Sequence, residues 1–284
     1  MTNIETSIDK TVKFNFSEGY SSVLIPLNDK KTLCLSSQIG CPMKCGFCIS
    51  GKRTFERNLT LDELKEQLTE AIKYLKLIDI KSKENKNEKN YLAENITSIV
   101  FMGMGEPLLN LKTVLEFCDY VNEFYGYSYS KILISTSGII SKMEEVINNP
   151  NKIQLAISLH STNQQVRDKM MPASNCHKIS ELIKTCNYYN EKYRQKIMIE
   201  YLMIKGLNDS DEDLQGILDL NLAKRTNFNL IPLNGSFELE GKIYESSTKE
   251  TMSHFRNELM KAGYKCFTRT SMGADIEAAC GMIK

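Results

Sequence analysis

Hydrophobic and polar positions alternate along the chain in two different rhythms. Short apolar runs stand at TLCLSS (32–37), TSIVFM (97–102), KILIST (131–136), QLAISL (154–159), IMIEYLM (197–203) and FNLIPL (228–233). Their length, and the β-branched residues in most of them, predict strands. Each is followed by a candidate helix. The clearest is LDELKEQLTEAIKYLKLI, in which Leu61, Leu64, Leu68, Ile72 and Leu75 recur at helical spacing behind a capping box of Thr60 and Glu63. Ser210 with Asp213 and Ser247 with Glu250 repeat the start signal, and Gly263 supplies a stop after MSHFRNELM. Six such β-α repeats predict an α/β fold with one parallel sheet, either an open doubly wound sheet or an incomplete barrel. In both, ligands gather at the carboxyl ends of the strands. Residues 1–30 read as a short extension, a strand or hairpin leading into a core over 31–284. The polar run KSKENKNEKN (81–90) reads as a solvated loop insertion.

Composition narrows the class. With 284 residues, 42% hydrophobic and 25% charged, the chain has the make-up of a soluble globular protein. No apolar stretch of about 18 residues exists to span a bilayer, and the opening MTNIETSIDKTVKFNF lacks the apolar core of a secretory signal. The expected location is therefore the cytosol. Nine cysteines in a reducing compartment point to metal ligation or redox chemistry for some of them and not to a disulfide framework. The net charge of +1 argues neither for nor against a nucleic-acid partner, because a binding groove needs a local basic patch.

Three of the cysteines fall in one loop after the first strand, Cys41-Pro-Met-Lys-Cys45-Gly-Phe-Cys48. A structural zinc site wants four N/S ligands and a closed iron-sulfur cluster four thiolates. Three leave one iron of a four-iron cluster open to bind a ligand. Gly40 and Gly46 are expected to let the loop wrap the cluster closely. After the second strand, Gly103-Met104-Gly105-Glu106-Pro107 offers glycines for close backbone approach to a ligand and a carboxylate for an ammonium. Alone, that turn would be mere punctuation.

The CxxxCxxC loop resembles the signature of radical S-adenosylmethionine (SAM) enzymes. Its surroundings, TLCLSSQIGCPMKCGFC, FMGMGEPLLN, ISTSG, LAISLHS, NLIPLN and DIEAACG, resemble the adenine-methylating RNA methyltransferases of the RlmN/Cfr family from about residue 20 to the end. The resemblance implies a partial (β/α)6 radical SAM barrel in which Cys41, Cys45 and Cys48 hold a [4Fe-4S] cluster that chelates SAM. Gly105, Glu106, Ser135, Ser158, Leu159, His160 and Asn234 match SAM-binding positions. Cys280 matches the methyl carrier, an S-methylcysteine intermediate, and Cys34 the second thiol, which closes a transient disulfide with Cys280 and releases the methylated base. Two SAM per turnover and an electron donor follow from that chemistry. The implied product is a methyl group on C2, less readily C8, of an adenine in 23S ribosomal RNA or transfer RNA, made by a cytoplasmic monomer. Cys118, Cys176, Cys186 and Cys266 match no motif and read as structural.

Two departures stand out. Long family members begin with a helical domain of roughly a hundred residues, a size typical of a small domain, and this chain shows essentially none of it. The family's proton-accepting glutamate falls on Ser21, and a serine is no comparable base at neutral pH. Leu233 and Met282 also differ from the common pattern. These differences favour a second reading, a radical SAM enzyme that modifies a peptide or small molecule, while the Cys34/Cys280 pair opposes it. A third reading is a non-catalytic iron-sulfur or zinc protein that binds RNA. Lys52, Arg53, Arg57 and Arg269 are candidate phosphate contacts.

Overall fold

All six apolar runs pair side by side in one ten-stranded sheet. The computed structural model describes residues 3–27, 30–78, 92, 95–174, 177–194 and 196–283. The strands lie across the sheet in chain order: β1 (Asn3–Thr6), β2 (Val12–Asn15), β3 (Ser21–Leu27), β4 (Lys30–Cys34), β5 (Ser98–Phe101), β6 (Ile132–Thr136), β7 (Gln154–Ser158), β8 (Ile197–Met203), β9 (Asn227–Pro232) and β10 (Lys265–Thr268). Pairs from β1 to β4 are antiparallel. From β4 onward every pair is parallel.

Helices follow the parallel strands as the sequence pattern requires: α1 (Leu61–Ile78), α2 (Leu111–Tyr125), α3 (Ile140–Asn148), α4 (Gln164–Met170), α5 (Ile179–Tyr193), α6 (Asp211–Asp219) and α7 (Lys249–Lys261). The main core holds Leu64, Leu68, Ile72 and Leu75 of α1 together with Leu33, Ile99, Ile134, Ile157, Ile199 and Phe228 of the sheet. The fold is thus the α/β architecture expected, with two additions. The N-terminal segment forms three strands that continue the sheet, and its Val12, Phe14 and Leu24 enter the same core. Strand β10 was not anticipated, because only Cys266 of its four residues is buried and the run carries no apolar alternation to read.

Capping follows the sequence at two helix starts and departs from it at a third. Glu63 N–H donates to Thr60 Oγ1, and Glu63 Oε2 accepts from Thr60 N; Ser210 and Asp213 form the same box. At α7 the cap is Thr248, whose side chain accepts from Thr251 N. Ser247 donates instead to Asp209, at 2.7 Å. The 81–90 insertion lies outside the described residues.

The first apolar run leaves the sheet early, and that departure shapes the site. Leu35 still donates to Val100 O, but the buried side chain of Gln67 on α1 then takes over the backbone of Ser36. Gln67 Oε1 accepts from Ser36 N at 2.9 Å and Nε2 donates to Ser36 O at 3.1 Å. The segment toward Cys41 is therefore steered by α1. Gln67→Leu preserves bulk but leaves a buried N–H and C=O unpaired, at about 1–3 kcal/mol each. Urea unfolding should show a loss of about 2–4 kcal/mol; a change within error would show that Gln67 does not direct this segment.

Candidate active site

Alternation along the strands sorts two kinds of side chain onto two faces. In β8, Ile197, Ile199 and Tyr201 enter the helix-covered core, while Met198, Glu200 and Leu202 line the inner side. Leu133 and Ser135 of β6 and Asn229 and Ile231 of β9 do likewise. Two cavities occupy this inner side. The first, about 150 Å³, is lined by Cys41, Cys45, Cys48, Gly105, Glu106, Ser135, Ser158, His160, Glu200, Asn234 and Cys280 among others. The second, about 440 Å³, lies among Thr32, Ser98, Val100, Leu133, Met198, Asn229 and Arg269. Met102, Ile231, Asn234 and Cys280 line both.

The cysteine loop is fixed by the protein around it. Gly46 N donates to Met170 O, Cys48 N to Cys45 O, and Ile49 N to Gly281 O. Gly40 sits at φ +72°, and a Cβ there would stand 2.0 Å from Thr54 O. The glycines are needed for contacts with neighbouring protein; at Gly105, φ +104°, a Cβ would strike Gln38 at 2.6 Å. These protein contacts are a further reason for glycine there, and Gly105 also lines the first cavity.

The donor set fits a four-iron cluster. Among the described residues no three His, Cys, Asp or Glu side chains converge to hold one metal ion. The three half-buried thiols of one loop line the first cavity together, three of the four thiolates a closed cluster would take. Burial pushes Cys41 up to about 12 and Cys45 well above its ordinary value. A bound metal reverses that tendency by deprotonating its thiols.

Six of the seven expected SAM positions line the first cavity; Leu159 does not. Leu159 packs in the core, and its backbone O accepts from Arg167 Nε at 3.2 Å. Glu106 caps the turn Pro107–Asn110 and accepts from Leu108 N, Ser137 N and Ser137 Oγ at 2.8–3.1 Å. Burial raises its carboxyl despite those bonds. Ser135 donates to Glu200 Oε2 at 2.7 Å. The other oxygen of Glu200, Oε1, is buried with no partner among the described residues.

His160 is a neutral acceptor. Its Nδ1 takes the Leu202 N–H at 3.0 Å, which places the proton of the neutral ring on Nε2. Burial, reinforced by the Arg167 charge, lowers its pKa to about 3. Arg167 is itself wholly buried, and its Nη2 donates to Ser137 O at 2.6 Å and Ser158 O at 3.2 Å. It thereby ties the ends of β6 and β7 together.

The two remaining special thiols both lie on the inner side of the sheet, near enough for the charge of Cys280 to act on Cys34. Cys34 is buried on the inner face with Val100, Met104 and Ala278. Burial, with Cys280 beside it, pushes Cys34 up to about 12, and Arg269 opposes the shift. Burial also raises Cys280, again opposed by Arg269. Asn234 Nδ2 donates to Cys280 O at 2.9 Å, so this residue orients the segment that carries the thiol.

Comparison with known proteins agrees with this geometry. Residues 35–219 match the Radical SAM superfamily. The chain is 38% identical over 286 residues to the dual-specificity RNA methyltransferase RlmN of Desulfotalea psychrophila, covering 99% of this chain and 76% of that one. It is equally similar, 38%, to RlmN of Vesicomyosocius okutanii, over 98% and 75% of the two chains. A crystal structure of a radical SAM methyltransferase from Sphaerobacter thermophilus superposes with a TM-score of 0.87 at 29% identity, over all of this chain and 80% of the other. The chain belongs to the RlmN family of radical SAM RNA methyltransferases. As a member of the RlmN family it is an enzyme that uses a [4Fe-4S] cluster and SAM. It spans about three quarters of the length of these curated relatives.

Sequence reading missed Glu200 and Arg167. A glutamate inside the apolar run IMIEYLM was a visible signal, since it shares a face with Met198 and Leu202. Arg269, a candidate phosphate contact near the site, lines the second cavity with Nη1 3.5 Å from Met102 Sδ. Arg53 pairs with Glu56 and the Gly19 carbonyl, and Arg57 with Glu63. Ser21 stays away from both cavities, donating to Asn15 Oδ1 at 2.8 Å.

Because His160 is held neutral, it favours the native state above the unfolded value near 6.5, and that contribution is lost as pH falls toward about 3. Melting temperature should therefore fall between pH 6.5 and 4 more steeply in the wild type than in His160→Asn. Parallel curves would show that His160 titrates normally.

Proposed function

We propose that this chain methylates an sp2 carbon of adenine, C2 in preference to C8, in ribosomal or transfer RNA. The position of Cys280 carries the reading. It lines both cavities, with the cluster cysteines around one and Arg269, Met198 and Asn229 around the other. A thiol so placed can receive a methyl group on one side and present it to a base on the other.

Cys41, Cys45 and Cys48 would hold the cluster, and Glu106, Ser135, Ser158, His160 and Asn234 would surround SAM. With SAM bound, the reduced cluster supplies a 5'-deoxyadenosyl radical. Two SAM serve each turnover, one as methyl donor and one as radical source, with reduction by an external electron donor. Cys280 takes the methyl group and loses its proton, a step helped by the Arg269 charge. The methyl carbon on Cys280, after giving one hydrogen atom to the radical, would join the base. The Cys34 thiolate then attacks the Cys280 sulfur, so that the S–S bond forms as the S–C bond breaks, an exchange that needs a thiolate within reach. The ring hydrogen leaves as a proton, the new methyl group takes one up and the odd electron would return to the cluster. The larger, mostly apolar cavity suits a base already extruded from its RNA stack. Residues 31–284 carry this chemistry, and residues 1–30 serve the core as an extension of its sheet. The enzyme acts as a monomer in the cytoplasm; among the described residues no helix is long and apolar enough to cross a membrane.

Nucleosides from ribosomal and transfer RNA, analysed by mass spectrometry with and without the gene, should differ by one C-methylated adenosine. Cys34→Ala should accumulate a covalent RNA–protein adduct through Cys280. Methylated RNA made at the wild-type rate by Cys34→Ala would rule out the thiol exchange.

A further inference from the structure

Cys280 belongs to a terminal stretch with little regular structure. Beyond β10 the only helical element among the described residues is the single turn Ala274–Ile276. The place of the thiol must then come from contacts with other parts of the chain. Three sets hold it. Asn234 holds the Cys280 carbonyl and accepts from Ser271 Oγ at 2.5 Å. The turn Ile49–Lys52 holds the far side through Ile49 N to Gly281 O and Ser50 Oγ to Ile283 O.

The third set comes from the opposite end of the chain. In the turn between β1 and β2, Asp9 Oδ2 accepts from Gly273 N at 2.7 Å, while Oδ1 accepts from Thr11 N at 2.9 Å. In return Asp275 accepts from Ser7 Oγ at 2.6 Å and from Ile8 N at 3.2 Å. Lys13 Nζ adds a bond to Ile276 O at 3.2 Å. Each segment thus gives the other a carboxylate. Burial works against the Asp9 charge, but the bonds from Gly273 and Thr11 outweigh it and bring the carboxyl to about 2. The seat is also tight: Gly273 has φ +70°, and a Cβ there would lie 2.8 Å from Thr11 Cγ2 and 2.9 Å from Ala278 Cβ. Gly273 O in turn accepts from Ala278 N, two residues before the thiol.

We propose that Asp9 and Asp275 are positioning residues, a reciprocal clamp by which the N-terminal hairpin sets Cys280 between the two cavities. The inference rests on the role given to Cys280 under Proposed function. The hairpin touches neither cavity: none of residues 3–16 lines either one. Its hydrogen bonds toward Cys280 run through the terminal segment.

The test compares wild type with Asp9→Ala, Asp275→Ala and the double variant after anaerobic cluster reconstitution. Three quantities are read: methyl loading of Cys280 from SAM by peptide mass spectrometry, Cys34–Cys280 disulfide formation under diamide, and reductive cleavage of SAM to 5'-deoxyadenosine. Misplacing a reacting group by about 1 Å can cost about a hundredfold in rate. Loading and disulfide formation should each slow at least about tenfold in the double variant, while SAM cleavage stays within about twofold. Wild-type loading in a double variant that cleaves SAM normally would overturn the clamp. Should the double variant fail to take up its cluster, Ser7→Ala, which deletes the bonds of that hydroxyl to Asp275 and to Asp9 N, replaces it. Partial slowing would then support the proposal and unchanged loading would overturn it. If wild-type Cys280 takes no methyl group, the fault lies with the functional reading, and the diamide rates alone decide the clamp.

Discussion

One hydrogen bond, from Asn234 Nδ2 to the Cys280 carbonyl, joins the end of β9 to the segment that carries the thiol. Most of the site depends on such joins. The parallel strands supply a rigid inner face, but Cys280 lies beyond the last strand and inherits no position from the sheet. It is held instead between β9, the turn after the cysteine loop and the N-terminal hairpin. These ties close an open sheet, because the terminal segment spans from the β9–β10 side to the β1–β2 turn. The N-terminal strands, which look dispensable by length, are part of this closure.

Electrostatics sets a second constraint on the same thiols. Burial disfavours a charged sulfur, and both Cys34 and Cys280 are raised by it. Arg269 faces both and works the other way, while the two thiols and Glu200 sustain the guanidinium charge against its own burial. A cation shared by two cysteines suits a cycle in which each must act as a thiolate at a different moment. Among the cluster cysteines, Arg167 works against burial at Cys45 in the same way; the iron itself would supply the rest of the charge.

Much of this was legible in the sequence because it rests on local pattern. Apolar runs and helical periodicity located six of the seven parallel strands and α1, since burial of a face repeats at fixed spacing. The cysteine loop was legible for a different reason: its ligands lie within eight residues of one another. What escaped had no local signature. Strand β10 buries one side chain of four, so its pairing with β9 is what makes it a strand. Ser247 looked like a cap, but Asp209 claims its hydroxyl and Thr248 takes the position. Arg269 was expected near the site, but nothing in its sequence neighbours reveals that it acts on both thiols. The Asp9–Gly273 and Asp275–Ser7 bonds join residues 264 and 268 positions apart, and no sequence period reaches so far.

The most direct test is a crystal structure of the enzyme with its cluster, SAM and an adenosine-containing oligonucleotide. SAM should lie in the cavity shared by Cys41, Cys45 and Cys48, the target base in the cavity beside Arg269, and the Cys280 sulfur between them, within disulfide reach of Cys34. A base bound elsewhere, or a Cys280 sulfur screened from either ligand in the loaded enzyme, would contradict the account.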